Sequence, residues 1–374
     1  MIDVVWRTNI DPSGYSSCAR SYVKALHSNK NANVRVIVDN VARNINAVGI
    51  DPSDLLFFSS ITVPFPPKGF LDVSHSVPDR MVFGVNKNIL YTVAEMDIPN
   101  RWVSICNKCD LIMTASNFCK RKMVECGVNE NIVEVVPHCH DTKIWNKDVY
   151  PIKIHNLKEF NFLFVGDFTP RKNGDLLVDS FIRTFSGNKN VSLTIKGYFN
   201  SFSLSDQKKL IKRIQSVAEG TGIPKWRRPT IYFYGEPILE SLMPNFMASF
   251  DCLVSPHRCE GWGLNLSLMQ MLHKPVIATK FSGNLDFMDY ESSYLIDIDG
   301  FEEVCDEMVK INPNFEGCQW AKINKDMLCE MMKSVCNNPG EAKKRGELAG
   351  IRTAERFSYE KVSDILIEKL KGVI

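Results

Sequence analysis

The sequence predicts an α/β protein built from two doubly wound, Rossmann-like domains. A chain of 374 residues exceeds one ordinary core, and at roughly 150 residues per domain it holds about two. Short apolar runs alternate with longer amphipathic stretches. A parallel sheet covered by helices requires this, because each crossover must bury one helical face on the sheet. The runs also fall into two sets, divided by the polar stretch "DTKIWNKDVYPIKIHNLKEF", Asp141 to Phe160, where Pro and Lys interrupt the hydrophobic pattern. The predicted domains are therefore 1–152 and 153–374. Each carries its ligand at the carboxyl ends of its strands, with a shared substrate expected in a central cleft.

In chain order, the strand candidates of the first set are "IDVVW", "VRVIVD", "ILYTVA", "LIMTAS" and "IVEVVP". Those of the second set are "FNFLFVG", "VSLTIKG", "TIYFYG", "CLVSP", "PVIATK" and "SYLIDI". Ser16 to Leu26 has a helical apolar pattern, a helix starts near Asn173, and "LNLSLMQMLH" forms another. The last helix spans about 356–371, with Ser358 as its N-cap.

Composition narrows the function classes. Apolar residues at 44% and charged residues at 24% are ordinary globular values and argue against disorder, collagen and coiled coil. The formal charge of +2 is too small to steer the whole molecule toward nucleic acid or membrane, so any polyanion site is local. Neither a signal peptide nor a run of about 18 apolar residues is present, and a cytoplasmic protein with at most peripheral membrane contact is expected. The 12 cysteines are scattered and read as reduced thiols. Cys106 and Cys109 form a CxxC, but no second CxxC or HxxxH completes a zinc set, and no metal is expected.

Three segments carry candidate chemistry. In "NIDPSGYSSCARSYVKAL", Gly14 lies in a turn at a helix amino terminus, where free N–H groups and the dipole suit an anion; an ordinary strand-to-helix turn is the competing reading. In "FLFVGDFTPRKNGDLLVDSF", Arg171 and Lys172 follow a first strand and are placed to neutralise a diphosphate leaving group, against the alternative of a solvated basic turn. In "SPHRCEGWGLNLSL", Glu260 stands past a strand end and the backbone of Gly261 to Leu264 is free to approach a ligand. A carboxylate there can accept hydrogen bonds from sugar hydroxyls, or merely cap a helix.

"VGDFTPRKN", "SPHRCEGWGLNLSLMQMLHKPVIATKFSGNLDFM" and "VVPHCHDTKIW" resemble the signature segments of the retaining family-four glycosyltransferases, the group 1 glycosyl transferases, which have the GT-B fold and use nucleotide-sugar donors. "YTVAEMDIPNRWV", "TASNFCKRKMVECGV" and "SGYSSCAR" extend the resemblance through the amino-terminal half. It implies that Lys172 and Arg171 hold the donor diphosphate, that Gly14 approaches the same phosphates, and that Glu260 binds the sugar hydroxyls. The backbone of Gly261, Gly263, Leu264 and Asn265 would lie against the phosphates, and "YGEPI", with Gly235 and Pro237, would seat the base. Glu95 would orient the acceptor hydroxyl, with Asp97 and His138 as further acceptor-side candidates.

The resemblance thus implies a metal-independent hexosyl- or pentosyltransferase that retains anomeric configuration, with a nucleotide-sugar as substrate and no cofactor. Its acceptor would be a glycan, a lipid-linked glycan, a protein or a nucleic acid. The last helix would cross back to the amino-terminal domain. Two departures lie at the donor site: Leu268 stands where the family has a second glutamate that binds ribose, and Asp167 where it often has arginine. They motivate the alternative of a non-catalytic GT-B nucleotide- or sugar-binding protein. The basic residues around Trp226, from Lys208 to Arg228, could contact a phosphate backbone or form a solvated face. "DID" at 297–299 is the nearest metal-like pattern and reads as a late strand end and turn.

Overall fold

Strands buried on both faces lose the alternation of a one-sided sheet and become continuous apolar runs, which is why the apolar segments of this chain mark its strands. The computed structural model describes residues 1–39, 49–84, 87–198 and 202–373. Two units emerge from it: Met1–Lys143 with Leu239–Ser241 and Ala354–Ile374, and Ile144–Ile238 with Leu242–Thr353.

In the first unit the order is β1 (Ile2–Thr8), α1 (Gly14–Ser28), β2 (Ala32–Val38), α2 (Pro52–Ile61), β3 (Leu71–His75), β4 (Asn88–Tyr91), α3 (Asn100–Cys106), β5 (Leu111–Thr114), α4 (Asn117–Glu125) and β6 (Val133–Val135). The second continues with β7 (Phe160–Asp167), α5 (Gly174–Thr184), β8 (Val191–Tyr198), α6 (Leu204–Gly220), β9 (Thr230–Tyr234), α7 (Met243–Ala248), β10 (Cys252–Ser255), α8 (Leu264–Met271), β11 (Val276–Thr279) and β12 (Tyr294–Ile296). There follow β13 (Ile298–Glu303), α9 (Asp306–Ile311), β14 (Gln319–Ile323), α10 (Lys325–Asn337), α11 (Pro339–Phe357) and α12 (Tyr359–Lys371).

Among the described residues, each unit holds one parallel six-stranded sheet. The orders are β2-β1-β3-β4-β5-β6 and β12-β11-β10-β7-β8-β9. Both are doubly wound, and each reverses direction once: between β1 and β3 in the first, and between β7 and β10 in the second. Ligands of such sheets bind beyond the strand ends at that reversal, so topology already singles out the loops after β7 and β10.

Helix ends follow their caps. Ser13 begins α1 by accepting the Ser16 N–H, and Ser358 begins α12 by accepting the Lys361 N–H. α12 packs on α1 within the first unit, where Asn29 donates to Ser363 Oγ at 2.9 Å. In the second unit Phe162, Phe164, Phe181, Leu193 and Ile195 build the core on one face of the sheet.

The structure adds strands that the apolar runs do not reveal. β3 is hidden because Asp72, Ser74 and His75 dilute its pattern. The "DID" pattern is not a strand end and turn: Asp297 sits between β12 and β13, and Asp299 lies inside β13, a strand of the antiparallel β13–β14 hairpin.

Candidate functional site

The loops after β7 and β10 bring together three of the charged residues singled out in the sequence. Gly166, at φ +147°, turns the end of β7 in a conformation that side-chain-bearing residues rarely adopt, and the Lys172 stem lies over it. Lys172 Nζ donates to Glu260 Oε1, and Arg171 Nη1 lies 3.3 Å from the same oxygen. Glu260 is only 6% exposed. Burial pushes its carboxyl up, but Lys172 and Arg171 outweigh burial and hold it well below the usual carboxylate range. The group is an anion fixed between two cations.

The backbone of Glu260 is held as firmly as its side chain. Its N–H donates to Ser282 Oγ at 2.9 Å, and its carbonyl accepts the Gly283 N–H at 2.9 Å. Ser282 is buried at φ +82° and ψ −155°, a region otherwise occupied by glycine. His257 lies fully buried beside this loop, with Nε2 3.1 Å from Asn284 Oδ1; burial lowers its pKa and keeps the ring neutral. Sequence alone does not single out Ser282, His257 or Asn284: the Ser282 strain is set by the loop it closes, and a buried His or Asn has no distinctive spacing.

Arg171 also donates to the Cys259 carbonyl at 3.2 Å and lies 3.9 Å from Asp167, so Asp167 is part of the same charge cluster. Arg258 braces the loop from the other side. Its guanidinium covers the Trp320 ring at 4.8 Å and pairs with Glu302, while its carbonyl accepts the Ala321 N–H at 3.1 Å. The β13–β14 hairpin therefore clamps the Glu260 segment.

Gly263, at φ +91°, begins α8, whose first turn carries no acidic residue. An acid there would stabilise the helix end but would occupy or repel any anion binding to its free N–H groups. Leu264 and Asn265 open the helix, and Asn265 Nδ2 donates to the Val165 carbonyl at 3.2 Å. Gly261 is buried in the loop, and Leu268, half-buried, lies one turn into α8. Gly235 follows β9, where a Cβ would meet Gln207 Oε1 at 2.7 Å; Pro237 is half-buried nearby in sequence.

The remaining candidates belong to the first unit. Gly14 is the exposed first residue of α1, and Glu95 is half-buried four positions past β4. Asp97 is exposed and accepts from Lys122 at 2.9 Å. His138 is buried and edge-on to the Tyr22 ring at 6.2 Å. His75 ends β3, where Nδ1 accepts the Trp6 indole N–H at 3.2 Å and the ring stacks on Tyr91.

Cys106 ends α3 and Cys109 follows in the next turn, with burial pushing both thiols up to about 12. Among the described residues no group of three or more His, Cys, Asp or Glu side chains could hold a metal ion, and no helix is long and apolar enough to cross a membrane. In the basic stretch Arg213 is committed to Asp175 and Glu307, and Trp226 is exposed.

Residues 159–312 match the family model of glycosyl transferases group 1. A 217-residue segment is 29% identical to an uncharacterized glycosyltransferase of Methanocaldococcus jannaschii, covering 58% of this chain and 48% of that protein; the chain thus spans about half the length of this relative. Among solved structures, Anabaena HepE in complex with UDP-glucose superposes with TM-score 0.70 at 12% identity over 100% of both chains. Sucrose-phosphate synthase from Thermosynechococcus elongatus superposes with TM-score 0.70 at 13% identity, over 100% of this chain and 99% of that one. The chain has the GT-B fold of these proteins, and its second unit resembles the group 1 glycosyl transferases across the segment that carries Arg171, Lys172 and Glu260.

Proposed function

We propose that the protein is a glycosyltransferase that moves a sugar from a nucleotide-sugar donor to an acceptor hydroxyl, with retention of configuration and without a metal ion. The observation that carries this reading is the Lys172–Glu260–Arg171 cluster beside the start of α8. Two cations and free helix N–H groups suit a diphosphate, while a carboxylate kept ionised suits the hydroxyls of the attached sugar. Support comes from the family match over this segment and from the UDP-glucose bound by HepE.

In the reaction the bond from the sugar's anomeric carbon to the diphosphate oxygen breaks, and a bond to the acceptor oxygen forms on the same face. The acceptor's proton passes to the departing phosphate oxygen. Lys172, Arg171 and the α8 amino terminus stabilise the negative charge that develops on the diphosphate, a role two cations can take without a metal. Glu260 fixes the sugar through its hydroxyls. Glu95 is the residue proposed to orient the acceptor, with Asp97 and His138 as the other acceptor-side candidates.

A second reading, a non-catalytic nucleotide-sugar binder, is favoured by Leu268, which offers no hydrogen bond to a ribose from its place on α8. Thermal shift with UDP, GDP and ADP and their hexose conjugates tests binding, and release of free nucleoside diphosphate on adding acceptor glycans tests turnover. A conjugate should stabilise wild type more than its bare diphosphate does, with the excess lost in Glu260→Ala. An excess that persists in that variant would remove Glu260 from the sugar site.

A further inference from the structure

Beside the charged cluster, the second sheet ends in a buried ammonium that the cluster does not use. Lys196 is the sixth residue of β8 and is only 7% exposed. In register, Ile195 pairs with Phe164 on the core face, so Lys196, paired with Val165 and Tyr234, points to the opposite face. Its Nζ lies 5.4 Å from the Phe202 ring centroid and 5.7 Å from that of Tyr234. Among the described residues nothing accepts a hydrogen bond from it. Burial pulls its pKa down to about 8, against the opposing charge of Glu236.

Such a group is costly. An ammonium largely removed from water needs acceptors, and two aromatic faces replace only part of its hydration. A strand interior offers many cheaper residues for this position. A buried cation that finds no acceptor among the described residues, at the open end of a sheet, is therefore a candidate to meet a ligand.

Position indicates which part of a ligand. Strand β8 adjoins β7, and Gly197 pairs with Gly166, over which Lys172 lies. The approach is close, since a Cβ at Gly197 would stand 2.7 Å from the Gly166 carbonyl oxygen. In a doubly wound sheet with its phosphates at the first strand's loop, the nucleoside extends over the ends of the second and third strands. Here these are β8 and β9, which end at Tyr198 and Tyr234. Two residues past β9, the exposed Glu236 carboxylate accepts from Gln207 Nε2 at 3.4 Å.

We propose that Lys196 and Glu236 read the lactam edge of the donor's base, so that the chain takes a uridine or guanosine diphosphate sugar and rejects the adenosine one. Uracil and guanine both present a carbonyl beside a ring N–H. An ammonium donates to the carbonyl and a carboxylate accepts from the N–H. Adenine presents the reverse, an amino donor beside a ring nitrogen acceptor, which sets donor against donor at Lys196 and acceptor against acceptor at Glu236. Tyr234, 40% exposed, supplies an aromatic face next to this edge. The inference rests on the nucleotide-sugar reading given above.

The test is isothermal titration of UDP, GDP and ADP into the full chain and into Lys196→Met, Glu236→Leu and Lys172→Met. Wild type should bind UDP or GDP roughly tenfold to a hundredfold tighter than ADP, the value of one good bidentate base contact. Lys196→Met should bring the three nucleotides within about threefold of one another, with the lactam bases losing affinity. Glu236→Leu, at an exposed position that leaves the core intact, should narrow the preference in the same sense. Lys172→Met should weaken all three alike, because it touches only the diphosphate.

ADP binding as tightly as UDP and GDP to wild type would overturn the proposal. So would a preference that survives both edge variants, or an equal loss for all three nucleotides in Lys196→Met, which would make Lys196 a phosphate contact. In each of these cases nucleotide binding itself, weakened in Lys172→Met, would leave the donor-site reading standing. Absence of binding by any of the three would overturn both.

Discussion

The two units solve the same topological problem with different chemistry. Both are parallel, doubly wound sheets whose strand order reverses once. At the reversal of the first, Trp6, Tyr22, His75 and Tyr91 pack ring on ring. The Tyr22 hydroxyl bonds to Tyr91 Oη at 2.7 Å and donates toward the Val136 carbonyl at 3.0 Å. The cluster is neutral, and burial keeps it so, raising both tyrosines and lowering His75. At the reversal of the second unit the loops hold a buried anion between two cations. A neutral aromatic cluster stabilises its sheet by itself, whereas buried charges return little net stability, and the proposed function gives them a charged ligand to meet.

The largest effect should follow from breaking the charged cluster. Lys172→Met leaves Glu260 buried with Arg171 alone, and chemical denaturation should show a loss of about 3 kcal/mol. Acid sharpens the same point. The Glu260 carboxyl is depressed in the folded state, so its contribution is full above its unfolded value near 4.5 and is lost as pH falls below that toward the folded value. Glu260→Gln should therefore flatten the stability profile of wild type below about pH 4.5, measured by denaturation across pH.

Tyr22→Phe breaks the neutral cluster and should cost about 1–2 kcal/mol, the price of one hydroxyl with buried partners, while nucleotide affinity stays at the wild-type value. A change in affinity would show that the two regions are not independent.

Ser282 separates strain from hydrogen bonding. Ser282→Ala keeps the strained backbone and leaves the buried Glu260 N–H without its acceptor, a loss of about 1–2 kcal/mol by thermal or chemical melts. Ser282→Gly loses the same bond but relieves the strain, and should be the more stable of the two variants. The smallest effect is expected at Asp97. Its ion pair with Lys122 is solvent-exposed, and Asp97→Ala should shift stability by less than about 1 kcal/mol.

Much of this was legible in the sequence, for identifiable reasons. Runs such as "LIMTAS" and "PVIATK" mark strands because β5 and β11 are buried at every position, and no surface pattern obscures them. Arg171, Lys172 and Glu260 could be proposed together because strand-end loops carry ligand chemistry in such sheets. What was not legible depended on three-dimensional context. The β13 strand alternates half-buried and exposed residues around Gly300, so "IDGFEE" resembles a turn. Lys196 looks like a solvated residue at a strand end, and only the flanking rings and the register on β7 reveal its burial. Ser282 carries no sequence signal, since its φ is imposed by the loop it closes.

The most direct test of the central claim, that the buried charges of the second unit hold a diphosphate, is calorimetric titration of UDP and GDP into wild type, Lys172→Met and Tyr22→Phe at low salt. The account predicts that the nucleotide bound by wild type loses at least about tenfold in affinity in Lys172→Met, for removal of one charge-assisted contact, and nothing in Tyr22→Phe. Equal affinity in wild type and Lys172→Met would contradict it and would leave the charged cluster as a structural brace.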